Sequence, residues 1–449
     1  MFVGARNWDQ TASGNIAVGL GIDLDVSERK ENYAMKPFFE VQTLAAVWER
    51  ISEIEALPAE TVILATAAGR TLAVDFAAPH DLPGFARSTM DGYAVRARDT
   101  FGATETQPGY LRIQGEVVMG RTADFALEHG TCARIGTGGM LPDGADAVVM
   151  VEHTRDADDA TVEVSRAVAP GSNVIGAADD AVAGQLLLPA GRRLRPQDAG
   201  LLAALGAIEP SVIRKPRAGI ISTGDEVVPV DCEPDPGQVR DVNATVLSAQ
   251  VRASGAEAID LGLVPDDPKR LEQAVATSLN ENDLTLLSGG SSMGVRDLTA
   301  EIFMSFPGAE LLVHGVSVAP GKPFIWVRVG DHQLLGLPGQ VTSCLVAFHL
   351  FVEPLLERLL GRKGEAFTRF GRLVAVLNRN ISSAAGREQF QRVRVEGSES
   401  GWRAEPVLGR SGLLRSLVQG HGLVRVPLGS EGLDAGTEVE VLLFPGDGP

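Results

Sequence analysis

The alternation of strand and helix patterns between Arg217 and Leu360 limits the fold more than any other feature of the sequence. Short apolar runs alternate there with segments whose apolar residues recur at helical spacing. The predicted strands are 218–222, 257–261 and 283–287, and the predicted helices are 243–253, 269–279 and, after a Pro-Gly loop, 341–360. Such alternation predicts a largely parallel sheet with helices on both faces.

A second region, from about Pro79 to Val168, has short β-like runs separated by turn residues. Its predicted strands are 93–95, 111–113, 133–135, 147–151 and 161–164. Helical spacing precedes this region, over 38–57, and resumes after it, over 196–205. We therefore expect a β-rich domain that is inserted into a helical domain built from two chain segments.

The two ends of the chain have sequence patterns that differ from those of the middle. Residues 1–34 are rich in Gly, Asn and Asp without periodicity, which predicts a flexible extension. The run Gly361-Arg-Lys-Gly-Glu365 predicts a linker, and the short strand patterns after it predict a small β domain. Because 449 residues are too many for one hydrophobic core, we expect three or four compact units.

Charge and cysteine content exclude several functions. A formal net charge of -18 argues against nucleic acid or anionic lipid as a partner, although a local pocket can still bind a small anion. Three separated cysteines without a Cys-x-x-Cys motif predict neither disulfides nor a zinc site. Since no apolar run spans a membrane and no signal pattern begins the chain, we expect a cytoplasmic protein.

The strongest local signal is the turn Leu287-Ser-Gly-Gly-Ser-Ser-Met-Gly294, directly after a predicted strand. Ligands of open α/β sheets bind beyond strand carboxyl ends, where glycines let backbone N–H groups approach an anion. The turn matches neither a Walker loop nor a dinucleotide fingerprint. By itself, a turn rich in Gly and Ser is more often only a tight connection.

Acidic residues follow other predicted strands of the same sheet. They are Asp225, Glu226, Asp266 and Asp297. An acid at a strand end commonly caps a helix or turn, and Asp266 fits that interpretation. Adjacent carboxylates beside a phosphate-binding turn are also typical of Mg²⁺, which prefers carboxylate and phosphate oxygens.

Three further turns complete the set of candidates. Lys322 lies in the stiff turn Ala319-Pro-Gly-Lys-Pro-Phe324, where an ordinary surface lysine is the simpler interpretation. The turn Gly336-Leu-Pro-Gly-Gln340 precedes the long helix, and Ser88-Thr-Met-Asp-Gly-Tyr-Ala-Val95 combines an acid, a glycine and an aromatic residue. Scattered histidines and the lack of a Gly-x-Ser-x-Gly elbow give no support for Ser/His/Asp catalysis.

In order and spacing, these turns resemble the molybdopterin molybdenumtransferase family, the MoeA-like proteins that include the gephyrin E domain. The resemblance covers roughly residues 36–449. The matching segments are STMDGYAV (88–95), RIGTGGMLPDGADAVVM (134–150), STGDEV (222–227), VPDDP (264–268), SGGSSMG (288–294), APGKP (319–323), GLPG (336–339), FQR (390–392) and RSGLLRSL (410–417). Each segment is weak alone, and the ordered set is specific.

The resemblance implies an elongated α/β plus β protein of four domains. These are a split helical domain I (35–77 and 179–215), an inserted β-rich domain II (78–178), a molybdopterin-binding α/β domain III with a mostly parallel sheet (216–361) and a C-terminal β domain IV (365–449). It also implies a homodimer whose active cleft lies between domain III of one subunit and domain II of the other. Other proteins of cofactor synthesis are its expected partners.

Functional positions of the family carry over residue by residue. The resemblance implies catalytic roles for Asp91, Thr137, Asp180, Glu226, Asp266 and Asp297. It implies substrate binding by Gly289, Gly290, Ser291, Ser292, Gly294, Lys322, Pro323, Arg392 and Ser411. The implied reaction inserts molybdenum from molybdate into adenylated molybdopterin and releases AMP. Mg²⁺ near Asp225, Glu226, Asp266 or Asp297 would offset the repulsion between the two anionic substrates.

Several positions depart from the family pattern. Family members usually carry Lys at the position of Ala319, and some carry another at the position of Gly315. The usual Pro-Gly-Asn-Pro loop reads Pro338-Gly-Gln-Val341, and the usual Gly-Glu-Asp element reads Ala178-Asp-Asp180. The chain is therefore either a transferase, a divergent paralogue that binds pterin as a scaffold, or a nucleotide-processing enzyme on the same α/β domain.

Overall fold

The fold is taken from a computed structural model, which describes residues 41–289, 293–362, 367, 369–399, 401–409 and 412–446. Of residues 293–297 it describes the backbone. The expected extension 1–34 and most of the expected linker 361–365 lie outside the described residues.

A six-stranded sheet forms the centre of the α/β region. Its strands lie in the order Glu257–Val264, Arg217–Thr223, Leu284–Gly289, His332–Leu337, Ile325–Val329 and Ala309–His314. The first four strands are parallel, and three of them were predicted; the strand His332–Leu337 and the antiparallel pair formed by the last two strands were not predicted from the sequence. The sheet is therefore mixed, with a parallel majority.

Helices cover both faces of this sheet, as predicted. They are Asn243–Ala253, Pro268–Glu281, Met293–Met304 and the helical run that begins at Val341. Adjacent residues of one strand point to opposite sides: Ile220 packs in the same cluster as Leu247, and Ile221 packs in the cluster of Leu271. Strands buried on both faces explain the nearly continuous apolar runs in the sequence.

The long helix predicted over 341–360 is interrupted by one π turn. It consists of Val341–Ala347, the π turn Phe348–Val352 and Glu353–Leu359. A π turn leaves a backbone carbonyl without its usual partner, and here the Trp48 indole N–H donates to the Leu350 carbonyl at 2.9 Å. The first helix, Leu44–Ser52, is thereby fixed against this run.

The insert contains a second six-stranded sheet. Its order is Ala147–Met150, Gly92–Val95, Thr131–Ile135, Gly109–Glu116, Thr161–Val164 and Thr154–Asp158. Short antiparallel pairs join the chain segments before and after it: Ala59–Thr61 with Ser211–Ile213, Phe76–Ala77 with Leu186–Leu188, and Arg87–Ser88 with Val174–Ile175. With the helix Pro196–Ala204, these pairs show that the chain leaves one region and returns to it, as predicted.

The C-terminal region forms a closed β-barrel with one added strand. Its order is Val318–Ala319, Glu388–Ser398, Gly401–Pro406, Gly371–Leu377, Glu438–Leu443 and Gly422–Val426, and the strand Glu388–Ser398 also pairs with Gly422–Val426. The short helix Leu414–Val418 lies between two of these strands along the chain.

Two-stranded pairs elsewhere are Val227–Val228 with Val239–Arg240 and Ile381–Ser382 with Gly432–Leu433. Short 3₁₀ turns cover Leu64–Thr66, Ala97–Thr100 and Val151–His153. Among the described residues, no helix has the length and apolarity to cross a membrane.

Candidate active site

Strand register places four of the predicted loops at one edge of the α/β sheet. Five residues form one row across it: Ile221, Leu287, Gly336, Ile325 and His314. The parallel strands end just beyond this row, and the antiparallel hairpin turns at the same level. The chain therefore leaves the sheet on one side after Thr223, after Gly289 and after Leu337, and the segment 315–324 connects two strands on that same side. We refer to this side as the carboxyl edge.

Direct contacts join the first acidic loop to the second. The Thr223 hydroxyl donates to Asp266 Oδ1 at 2.6 Å, and the Asp266 backbone N–H donates to Asp225 Oδ1 at 3.2 Å. The helix cap considered for Asp266 is instead made by Asp267, which accepts from the Arg270 backbone N–H at 2.9 Å. The interpretation of Asp266 as a simple N-cap is therefore wrong, and its carboxylate faces the first loop.

Gly289 allows the end of its strand to lie against this loop. It ends its strand opposite Thr223, with φ at +133°, and an added Cβ would lie 2.0 Å from the Thr223 carbonyl oxygen. Only glycine fits such an approach without a shift of the backbone. Gly290, Ser291 and Ser292 lie outside the described residues, and Gly294 lies in the helix Met293–Met304 that begins directly after them. The side chain of Asp297, in the same helix, is also outside the description.

Two charged side chains at the carboxyl edge have no fixed partner. Glu226 and Lys322 are exposed, and neither head group makes a hydrogen bond or ion pair within the part of the chain that the structure describes. The backbone around Lys322 is nevertheless ordered, because its carbonyl accepts from the Val316 N–H at 3.0 Å and the next residue, Pro323, is half-buried. These side chains are available to a ligand.

The insert brings together two further predicted residues. Asp91 Oδ1 accepts from the Thr137 backbone N–H at 2.7 Å and from its hydroxyl at 2.8 Å. These two hydrogen bonds, the backbone one first, hold the pKa of Asp91 below its ordinary value. Asp180 is exposed on a neighbouring segment, where its N–H donates to the Leu82 carbonyl at 3.0 Å.

Arg392 is buried in the C-terminal barrel, only 6% exposed. Its guanidinium donates to the Thr342 hydroxyl at 3.3 Å, to the Gly409 carbonyl at 3.0 Å and to the Ser416 hydroxyl. Burial lowers the pKa of Arg392, and no carboxylate lies within ion-pair distance among the described residues. Ser411 falls outside the description. Thr342 and Ser416 were missed from the sequence, although both lie in or beside matched segments.

The carboxylates at the carboxyl edge are suited to a hard cation that also binds water and substrate oxygens. Asp225, Glu226 and Asp266 do not form a three-residue metal cluster, and the described residues contain no such group of His, Cys, Asp and Glu. Mg²⁺ typically takes one or two carboxylates together with water and substrate phosphates. The donor set therefore fits Mg²⁺ bound with its substrate.

The predicted residues fall into separate groups within one chain. No hydrogen bond or ion pair joins Asp91, Thr137 or Asp180 to Asp225, Glu226 or Asp266 among the described residues. In the described part of the chain, the polar groups of the insert and of the carboxyl edge are therefore not in direct contact.

Comparison with known proteins covers most of the chain. Three family profiles match in order: the MoeA N-terminal region (domains I and II) over residues 40–206, a probable molybdopterin-binding domain over 219–358, and the MoeA C-terminal region (domain IV) over 374–444. These matches agree with the four-domain architecture expected from the sequence.

Individual relatives are similar along nearly their whole length. A molybdopterin molybdenumtransferase from Bacillus subtilis is 33% identical over 390 residues, which is 86% of this chain and 90% of that protein. A putative molybdopterin biosynthesis protein from Methanocaldococcus jannaschii is 34% identical over 409 residues, 89% of this chain and 96% of that protein. A molybdopterin biosynthesis MoeA protein from Pyrococcus horikoshii has a crystal structure with a TM-score of 0.78 and 38% identity, covering 91% of this chain and 100% of that one.

Proposed function

The chain belongs to the molybdopterin molybdenumtransferase family, and from this premise we propose that it inserts molybdenum into adenylated molybdopterin and releases AMP. The observation that carries the proposal is the shared carboxyl edge, where acidic and glycine-rich loops from distant parts of the chain emerge together. A substrate with a pyrophosphate and a second oxyanion needs both kinds of loop.

Two kinds of group would bind the phosphates: backbone N–H groups after Gly289, and a metal ion held by the acidic loops. Gly289 lets its strand end lie against Thr223, and the helix that starts at Met293 begins at the same edge, where its first backbone N–H groups are suited to a phosphate. Asp225, Glu226 and Asp266, with Asp297, would hold Mg²⁺, which polarises the phosphoanhydride when it is bound. Glu226 is the best placed of the described acids, because its carboxylate has no other partner there.

Molybdate, the second substrate, requires positive charge. Lys322 extends from an ordered turn with its ammonium uncommitted in the described structure. Arg392 is bound by neutral groups, so its charge is not cancelled by a neighbouring carboxylate among the described residues. With Ser411, these groups would bind the oxyanion through charge-assisted hydrogen bonds.

The insert group completes the site across a twofold axis. Asp91 and Thr137 are fixed to each other and yet do not contact the carboxyl edge of their own chain. We propose a homodimer in which these residues, with Asp180, face the carboxyl edge of the second subunit. We also propose that the enzyme works in the cytoplasm and receives its substrate from another protein of cofactor synthesis.

AMP release by the purified full-length protein tests the proposal. Adenylated molybdopterin, Mg²⁺ and molybdate together should give AMP and a cofactor that activates an apo-molybdoenzyme, and omission of either ion should stop both. Substrate binding without turnover would favour the pterin-binding scaffold. Turnover of a simple dinucleotide without pterin would favour the nucleotide-processing enzyme. Either result would reject the transferase.

A further inference from the structure

Exposed apolar side chains surround the Asp91 carboxylate in the insert. Met90 is 38% exposed, Val118 is 57% exposed and Met119 is 56% exposed. Single exposed apolar residues are common on protein surfaces. Here Met90 precedes Asp91 in the chain, and Met119, from a separate loop, lies near the carboxylate that Thr137 fixes in place.

The glycines at 136 and 138 show how close Met119 lies to Asp91. A Cβ added at Gly136 would lie 3.8 Å from Asp91 Oδ1 and 3.9 Å from Met119 Sδ. A Cβ added at Gly138 would lie 3.6 Å from Met119 Cε. The thioether and the carboxylate therefore both lie within van der Waals distance of the Cβ position at Gly136, and so lie close to each other.

Asp91 is prepared to accept further hydrogen bonds. Thr137 donates twice to Oδ1, and the exposed Oδ2 accepts none from the described residues. The lowered pKa keeps this group ionised, so it has no proton to donate at neutral pH. A carboxylate in this state is suited to a ligand edge that offers N–H donors.

We propose that this place binds the pterin ring of the substrate, with the ring face against Met119 and its amino edge on Asp91. The inference rests on the proposed function and identifies which part of the substrate the insert contacts. A pterin offers a ring N–H and an exocyclic amino group side by side, and the unused Oδ2 of Asp91 can accept hydrogen bonds from this edge. The adenine edge offers an amino group beside a ring nitrogen lone pair, which would face the carboxylate unfavourably. Methionine sulfur packs well on aromatic rings.

Binding of 6-hydroxymethylpterin to the full-length protein, followed by the fluorescence of the pterin, tests this assignment. Met119→Ser should weaken pterin binding about three- to tenfold, whereas Met119→Leu, which keeps an apolar side chain, should retain most of it. Asp91→Asn should weaken it about tenfold or more, because one donor–acceptor match becomes a donor–donor clash. AMP binding, measured by dialysis, should be unchanged in all three variants.

Phe101→Ser is the matched control, since Phe101 is an insert residue that is 64% exposed. Its pterin binding should equal that of the wild type. The assignment is overturned if the wild type does not bind the pterin at millimolar concentration, if Met119→Ser binds it normally, or if AMP binding falls instead. A change of molar mass in Met119→Ser, measured by light scattering, would show that the exposed apolar residues near Asp91 form a subunit interface. That result would also overturn the assignment. Normal AMP release by a wild type that fails these binding tests would leave the proposed function intact.

Discussion

The two edges of the α/β sheet use polar residues in opposite ways. At the amino edge, the Thr285 hydroxyl donates to Ser278 Oγ at 2.7 Å and contacts His332 Nε2 at 2.8 Å. Asp283 accepts from the Arg214 guanidinium at 2.7 Å and from the Arg217 backbone N–H at 2.8 Å. These side chains are paired within the protein, although the nearby Asn282 Oδ1 is buried without a partner among the described residues.

The carboxyl edge leaves part of its charge unpaired. The ammonium of Lys322 and the carboxylate of Glu226 have no partner among the described residues, although the backbone beneath each is fixed. A protein gains no stability from exposed charges that are held apart and unpaired. The contrast shows that polar residues at the amino edge serve stability, and it favours a ligand-binding role for those at the carboxyl edge.

The largest effect is expected for Glu226→Ala. If the carboxyl edge holds Mg²⁺ and phosphate, the variant should lose about 100- to 1,000-fold in AMP release at an unchanged free energy of unfolding. Glu281→Ala removes an exposed glutamate at the end of the helix Pro268–Glu281 and serves as the control, with normal activity. If Glu226→Ala and Glu281→Ala were equally active, the carboxyl edge would not have the ligand-binding role that distinguishes it from the amino edge.

Gly289→Ala should affect both the fold and the activity. The new Cβ would collide with the Thr223 carbonyl oxygen, so the strand ends must separate, at a cost of about 3 kcal/mol. Urea unfolding should show this loss, and AMP release should fall with it. Gly200→Ala, at a helical position with no atom within 4 Å of the added Cβ, should be neutral or stabilising. An unchanged unfolding midpoint for Gly289→Ala would contradict the close approach.

The pH dependence of stability should report on the amino edge through His332. Burial lowers the pKa of His332 to about 4, while the unfolded chain takes up its proton near pH 6.5. The stabilisation by the neutral imidazole is therefore complete above pH 6.5 and is lost as the pH falls toward 4. Between pH 7 and 5 the wild type should lose about 2 kcal/mol more than His332→Gln. Parallel pH curves for the two proteins would contradict the buried neutral imidazole.

The smallest effect is expected for Ala319→Lys, which restores a cation usual in the family. Ala319 is half-buried on the loop that carries Lys322, and the added charge should lower the half-saturating molybdate concentration several-fold. Gly315→Lys is the contrasting variant, because Gly315 is buried with φ at +90° and a side chain there is strained. If Ala319→Lys leaves the molybdate dependence unchanged, the loop that carries Lys322 does not bind the oxyanion.

Elements fixed by local pattern could be predicted from the sequence. The helix Asn243–Ala253 and three of the four parallel strands follow from apolar spacing, because burial on both faces imposes it. The fourth parallel strand, His332–Leu337, was not predicted. The hairpin Ala309–His314 with Ile325–Val329 was missed, since antiparallel pairing at the end of a sheet leaves no separate local signal. The π turn was missed for a similar reason, as it depends on the distant Trp48 side chain.

The candidate site was predictable mainly as a list of residues. The resemblance implied catalytic roles for both Asp91 and Thr137; the structure shows a hydrogen bond between them that the sequence did not predict, and their roles stay predictions. Choosing between Asp266 and Asp267 as the helix cap required coordinates, because both precede Pro268. Arg392 contacts Thr342 and Ser416, which are far apart in the chain. Residue spacing in the sequence could not predict these contacts. The residue limits of the four domains remain predictions.

A crystal of the full-length protein soaked with molybdate and adenylated molybdopterin, with anomalous data at the molybdenum edge, tests the central claim most directly. We predict phosphate density beyond Gly289, within reach of Glu226, and an anomalous peak beside Lys322. A ligand bound elsewhere would contradict the account, for example in the cavity of about 440 Å³ between Leu345, Arg369 and Val418. So would an occupied site that leaves the carboxyl edge empty.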